Sequence, residues 1–293
     1  MTLLHMLFNS VLSFLKRALP LLLSCFMSFS SAQGTETEAP ALTLVSINVG
    51  KADCHLLLSG NTAYMVDVGR GKTWDTVESV LNELGITRLD GVILTHTHSD
   101  HAGGLKKMLK SGIQIDHVYT SAFYSPDEED DEHSVLKSLR KSDLEAEYLK
   151  SGDTLPLDGG TLQVLGPLAQ HPTKENNNSV VLLASAGGGS VLLTGDMEFP
   201  EERDLLAASL LSRVDVLKIG NHGEGDATSD AFIAAVAPKL AVIPTNTEEE
   251  PDTPDPRVIR LLESWKVRIL QTQESARYIR ITLRNGEIGT EMN

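Results

Sequence analysis

A chain of 293 residues with 41% hydrophobic content carries enough apolar material for a large buried core, which excludes a disordered or low-complexity protein. Its 40 acidic residues against 25 basic ones give a net charge of −15. That balance disfavours bulk nucleic-acid binding, because polyanions are held by basic surface that releases counterions.

The first 32 residues differ in kind from the rest. Lys16 and Arg17 precede an apolar stretch, no acid is present, and Ser30-Ser31-Ala32 stands before Gln33. This pattern predicts a secretory signal peptide over residues 1–32, with residues 33–293 as one catalytic domain in the periplasm or outside the cell. The 15 residues from Ala18 to Ala32 are short for a membrane span, which needs about 20, so no stable span is expected after cleavage. Two alternatives stay open: an uncleaved membrane anchor, and a lipoprotein cleaved at Cys25 in Leu22-Leu23-Ser24-Cys25. Removing the leader leaves 23 basic residues against 40 acidic, a charge of −17, and Cys54 as the one thiol. Its alternating position in a strand-like run predicts a buried thiol.

Three strands are expected at residues 42–48, 54–58 and 63–67, separated by Gly-containing turns. A helix over residues 73–84 follows from the spacing of Val77, Val80, Leu81 and Leu84 and stops at Gly85. A strand at 91–94 leads into a helix from Ser99 to about Lys110. Then come a strand at 118–121, a helix at 134–141 and a loop through Gly152. Strands at 161–165, 179–184 and 190–194 follow, the last two joined by a turn at Gly187-Gly188-Gly189. Helices at 198–211, 230–236 and 256–265 are interleaved with strands at 214–219, 240–244 and 268–271, and a strand at 278–283 closes the series. The acidic runs at 127–132 and 248–250 read as solvated loops. Mixed strands with helices on their outer faces predict an α/β fold, a four-layer αββα sandwich.

The chemistry concentrates in Leu94-Thr95-His96-Thr97-His98-Ser99-Asp100-His101, directly after the apolar strand Gly91-Val92-Ile93-Leu94. Three imidazoles and a carboxylate at a strand end are donors that Zn²⁺ or Mn²⁺ selects. The order supplies two sets: His96 with His98, and Asp100 with His101. Asp67, Asp196 and His222 also follow strands, and ligand sites of α/β sheets collect at strand C-termini, so all are placed at one rim.

This cluster resembles the signature of the metallo-β-lactamase fold superfamily. Five further segments resemble its branch typified by the DNA-uptake protein ComEC, and they occur in the same order. They are Val45 to Cys54, Met65-Val66-Asp67-Val68-Gly69, Asn176-Asn177-Asn178-Ser179-Val180-Val181-Leu182, Leu193-Thr194-Gly195-Asp196, and Val216 to Gly223 followed by Ala227-Thr228-Ser229. The resemblance implies a stand-alone hydrolase domain without the membrane channel. By the same resemblance His96 and His98 hold a first divalent ion, Asp100, His101 and His222 a second, and Asp196 bridges them, with zinc ahead of manganese. Asp100 and Asp196 are then the catalytic carboxylates beside a metal-bridging hydroxide. Asp67 is expected to orient a ligating imidazole or to cap its turn.

Two departures from the pattern bear on substrate. No His stands at a strand end between the first cluster and Asp196, so Asn178, water or substrate is left to complete the first metal's shell. Asn221 replaces the first His of the relatives' "HHG" and is a candidate substrate contact. The expected reaction is phosphodiester hydrolysis on a small or envelope-derived phosphoester. The alternatives are a carboxyl-ester or lactone hydrolase, a nuclease, and a non-catalytic metal-binding envelope protein.

Overall fold

The computed structural model describes residues 40–125 and 129–293, with backbone alone for residues 129–133. The expected signal peptide, its cleavage point and Cys25 lie outside the described residues. In chain order, β1 (Leu42–Ile47), β2 (Cys54–Ser59) and β3 (Thr62–Val68) form an antiparallel meander. Helix α1 (Trp74–Glu83) crosses to β4 (Arg88–Leu89) and β5 (Gly91–Ile93). Helices α2 (Ser99–Ala102) and α3 (Leu105–Met108) lead to β6 (Gln114–Ile115), which pairs with β4, and to β7 (Val118–Ser121). Helix α4 (Glu129–Arg140) returns the chain to β8 (Ala146–Leu149). Strands β3, β5, β7 and β8 run parallel.

The second half repeats this progression. Strands β9 (Thr154–Leu157), β10 (Gly160–Gly166), β11 (Val181–Ala186) and β12 (Gly189–Leu193) are antiparallel. Then α5 (Phe199–Ala207), β13 (Val216–Lys218), α6 (Asp230–Val236), β14 (Leu240–Ile243), α7 (Pro256–Ser264) and β15 (Arg268–Gln271) alternate, with the strands parallel. Strands β16 (Tyr278–Arg284) and β17 (Glu287–Met292) leave this sheet and extend the first one along β1. The result is an eight-stranded and a seven-stranded sheet plus the small β4–β6 pair.

The two-residue period of the strands distributes their apolar residues between layers. Leu42 and Leu44 face the core between the sheets, with Leu182, Val191 and Ile281. Val45 and Ile47 face the opposite way, where Val77, Leu81, Leu105 and Leu139 cover the first sheet with helices. Leu205, Phe232, Ile233, Val258 and Leu262 cover the second sheet in the same way. Three cores between four layers make the expected αββα sandwich. Cys54 is fully buried, and desolvation pushes its thiol well above the usual range.

Four expectations are corrected. The helix drawn from Ser99 to Lys110 is two short helices, broken at Gly103-Gly104. There the backbone presses against β3: Gly104 N donates to Gly69 O at 2.8 Å, and any Cβ at Gly104 would overlap the Val68 carbonyl. Strands β8, β9 and β17 were not expected: each is a sheet-edge strand, β8 and β17 are largely exposed, and β9 is four residues long and contains Pro156. Part of the first acidic run is helical, since Glu129 opens α4. The second run is not simply solvated: Glu250 pairs with Lys51 at 2.6 Å and Glu249 with Lys72 at 3.4 Å.

Candidate metal centre

Each half of the sandwich ends its parallel strands at the same rim, and the sharp turns there aim the polar side chains inward. Asp67 at the end of β3, Asn221 and His222 after β13 all adopt left-handed backbone, with φ of 57°, 45° and 51°. Gly195, at φ 50°, turns the chain between β12 and Asp196, where a Cβ would meet Ser179 and Thr95 at under 3 Å. Non-glycine residues in this region are uncommon, and they cluster at functional sites where the surroundings enforce them.

His101 is fully buried. Its Nδ1 lies 2.8 Å from Asp67 Oδ2, and the same carboxylate accepts from Thr95 N and Thr95 Oγ1, both at 2.8 Å. His222 Nδ1 lies 2.9 Å from the carbonyl oxygen of Pro244. A carbonyl and an ionised carboxylate only accept, so both rings carry a proton on Nδ1. Their Nε2 atoms face Asp196 Oδ2 at 3.1 Å from His101 and 3.3 Å from His222, without the alignment of a hydrogen bond. Two buried imidazole nitrogens without hydrogen-bond partners therefore converge with a carboxylate oxygen on a common space, where a cation would take their lone pairs in place of protons. That arrangement suits a divalent cation, and it is the observation by which these residues fit a metal.

Among the described residues, the groups able to hold an ion are His96 with His101 and Asp196, Asp100 with His101 and His222, and Asp53 with Asp67 and His101. The structure thus brings His96, Asp100, His101, Asp196 and His222 together. His98 stands beside them, its Nδ1 at 3.0 Å from His96 Nε2. Asp100 is the partly exposed member, with Oδ2 3.8 Å from His222 Nε2 and 3.5 Å from an Arg70 guanidinium nitrogen. Burial and the neighbouring His101 push His96 well below the usual histidine range, which favours the neutral ligating form. For His101 burial acts the same way, but the Asp196 and Asp67 carboxylates outweigh it and raise the value in the metal-free chain. Burial works against the Asp196 carboxylate, yet His101, His222 and Lys218 hold it well below the usual range.

Asn178 is a correction. Its Oδ1 accepts from His171 N at 2.8 Å, and its Nδ2 donates to His171 O at 3.0 Å and Glu175 Oε2 at 3.2 Å. The amide is consumed in bracing a loop, which leaves nothing to complete a metal shell. Asn221 donates to Asp226 at 3.1 Å and is buried, so it stiffens the turn that carries His222. His171 itself pairs with Asp204 at 3.3 Å.

Asp53 and Lys218 escaped the sequence reading. Both are buried and form an ion pair. Lys218 Nζ also donates to Gly195 O at 2.7 Å and lies 3.4 Å from Asp196 Oδ1. Burial disfavours the ammonium, but the Asp53 and Asp196 carboxylates outweigh it and raise its pKa. The signal was a lone charge inside the apolar strand Val216-Leu217-Lys218-Ile219, where a cation persists only with buried partners.

The family model described as the metallo-β-lactamase superfamily matches residues 47–246. The chain belongs to the metallo-β-lactamase superfamily. Members of this superfamily bind divalent metals, typically two. Within the superfamily the chain is similar to competence proteins of the ComEC-like branch. It is 34% identical over 195 residues to ComE operon protein 3 of Bacillus subtilis, covering 67% of this chain and 25% of that protein. It is 26% identical over 272 residues to Recombination protein 2 of Haemophilus influenzae, covering 91% and 32%. It is 28% identical over 266 residues to Competence protein ComA of Neisseria gonorrhoeae, covering 87% and 34%. The chain therefore spans a quarter to a third of these relatives' lengths. Among solved structures, the metallo-β-lactamase fold protein YhfI of Bacillus subtilis shares the fold at TM-score 0.50 and 14% identity, covering 85% of this chain and all of that one. No helix among the described residues is long and apolar enough to cross a membrane.

Proposed function

We propose that the protein is an exported binuclear-metal hydrolase acting on phosphodiesters. The observation that carries the hydrolase reading is the convergence of His101 Nε2, His222 Nε2 and Asp196 Oδ2 without hydrogen-bonded partners on the nitrogens. When bound, two divalent ions would lower the pKa of a water toward neutrality and offset charge developing on the substrate's oxygens. Asp196 would serve both ions, and Asp100, partly exposed, would face the open side. His96 and His98 would hold one ion, and Asp100, His101 and His222 the other.

The chain's own residues prepare the site. Asp67 and the Pro244 carbonyl fix the two ring orientations, so that each Nε2 keeps its lone pair toward the centre. The Asp53–Lys218 pair lies behind Asp196 and holds its other oxygen. Arg70 supports an anionic substrate. Its guanidinium sits beside Asp100 at the half-exposed side, anchored by the Lys51 carbonyl at 3.0 Å. A guanidinium there would take a non-bridging phosphoryl oxygen.

The test is a panel on metal-loaded protein: bis-nitrophenyl phosphate, phosphorylcholine esters, an oligonucleotide and a lactone. We expect turnover of the diesters and none of the lactone, and lactone turnover alone would replace this reading. Export is read by the N-terminus of envelope-recovered protein, expected at Gln33. A start at Met1 would refute cleavage, and a lipid on Cys25 would assign a lipoprotein.

A further inference from the structure

A cationic groove runs along the outer helical layer, on a chain whose net charge is −15. It lies between α3 and α4, occupies about 650 Å³, and has Leu109 in its lining. Lys106 and Lys110 project from one wall and Lys137 and Lys141 from the other. No carboxylate lines it among the described residues, and none of these four lysines is in an ion pair there. Several other lysines are paired: Lys51 with Glu224 and Glu250, Lys218 with Asp53, Lys239 with Asp215. Four ammonium groups without an ion-pair partner among the described residues, on two helices and the turns that follow them, repel one another, so the arrangement calls for an anionic occupant.

We propose that this groove binds a phosphodiester chain, and so serves as a substrate-holding site remote from the metal centre. Each wall carries two lysines four residues apart in sequence, Lys106 and Lys110 on one and Lys137 and Lys141 on the other, so the groove presents four cationic groups in a row rather than one. Such a row suits an anion with several charges better than a single small anion. Concavity argues against a flat bilayer. So does the lining, since the large exposed apolar residues Tyr124, Tyr148, Leu168, Leu210, Trp265 and Met292 are all absent from it. The groove is connected to the chemistry along the chain. Helix α2, which carries Asp100 and His101, passes through Gly103-Gly104 directly into α3, which carries Lys106. Net charge does not register this clustering, because it averages over the acidic remainder of the surface.

The role as a substrate site rests on the phosphodiesterase reading, but binding is measured separately from turnover. The probe is a fluorescent oligothymidylate with phosphorothioate linkages, followed by anisotropy on the full chain. Each phosphate contact contributes about −0.7 to the log–log salt slope for a single strand, so four contacts give about −3 and about 50-fold weaker binding between 50 and 200 mM salt. The double variant Lys106→Gln/Lys137→Gln should halve that slope, while Lys106→Arg/Lys137→Arg keeps it. Turnover of bis-nitrophenyl phosphate should be unchanged in both. Absence of oligothymidylate binding at 50 mM salt, or an unaltered slope in the Gln variant, would overturn the proposal. Stronger Lys-dependent binding to phosphatidylglycerol vesicles would assign the groove to a membrane instead. Bound oligothymidylate with no phosphodiester turnover would leave the groove standing and refute the enzymatic reading.

Discussion

Asp67 shows how much a single side chain organises here. Its carboxylate takes the Thr95 amide, the Thr95 hydroxyl and the His101 ring, and so ties the end of β3 to the start of the His-rich turn. Removing a group that orients a ligating histidine typically weakens metal affinity by about 10–100-fold. We therefore expect Asp67→Ala to lose zinc affinity in that range, read by competition with a chromophoric chelator, and to retain its circular dichroism spectrum. If affinity is unchanged and only thermal stability falls, Asp67 is a turn cap and nothing more. The clustering of His96, Asp100, His101, Asp196 and His222 was legible in the sequence because histidines are few and each of these positions follows a strand. Asp53 and Lys218 were not, because a buried ion pair between positions 165 residues apart has no local signature. Asn178 was misread because an amide in a polar run does not announce whether it faces an ion or a backbone.

At the level of elements, the motif's two glycines do steric work. Gly104 has helical φ of −73° and ψ of −21°, a conformation in which alanine would ordinarily be preferred by about 1 kcal/mol. The obstacle is the Val68 carbonyl, which a Cβ would overlap and which cannot rotate away as a side chain does. Gly104→Ala should accordingly destabilise the protein by about 1–3 kcal/mol, the usual range for overpacking. A thermal melt lowered by several degrees is the expected readout, and an unchanged or raised melting temperature would show that α2 and α3 can shift without loss. The strongly patterned elements were legible: β7, α6 and β15 fall within the same residues in sequence and structure. Elements at the sheet edges were not, since β8 and β17 expose most of their side chains and carry no alternation to read.

Over the whole molecule, the sandwich brings two half-sites to one rim. Thr95, His96 and His101 come from the first half, and Asp196, Lys218 and His222 from the second. Asp196 and His222 from the second half each join first-half residues in a group able to hold an ion. Charge follows the same logic of distribution: the acidic excess is partly spent on Lys51 and Lys72 near the rim, while the lysine groove remains open on the helical face. In the proposed binuclear centre Asp196 would serve both ions, since it groups with His96 and His101 and its Oδ2 also lies 3.3 Å from His222 Nε2. It is tested most directly by the metal content of purified protein, measured by inductively coupled plasma mass spectrometry after dialysis against zinc and then buffer. We predict about two ions per chain for the native protein and nearly none for Asp196→Ala, because the bridge serves both ions. Full metal content in a folded Asp196→Ala variant, or a native protein that binds none, would contradict it.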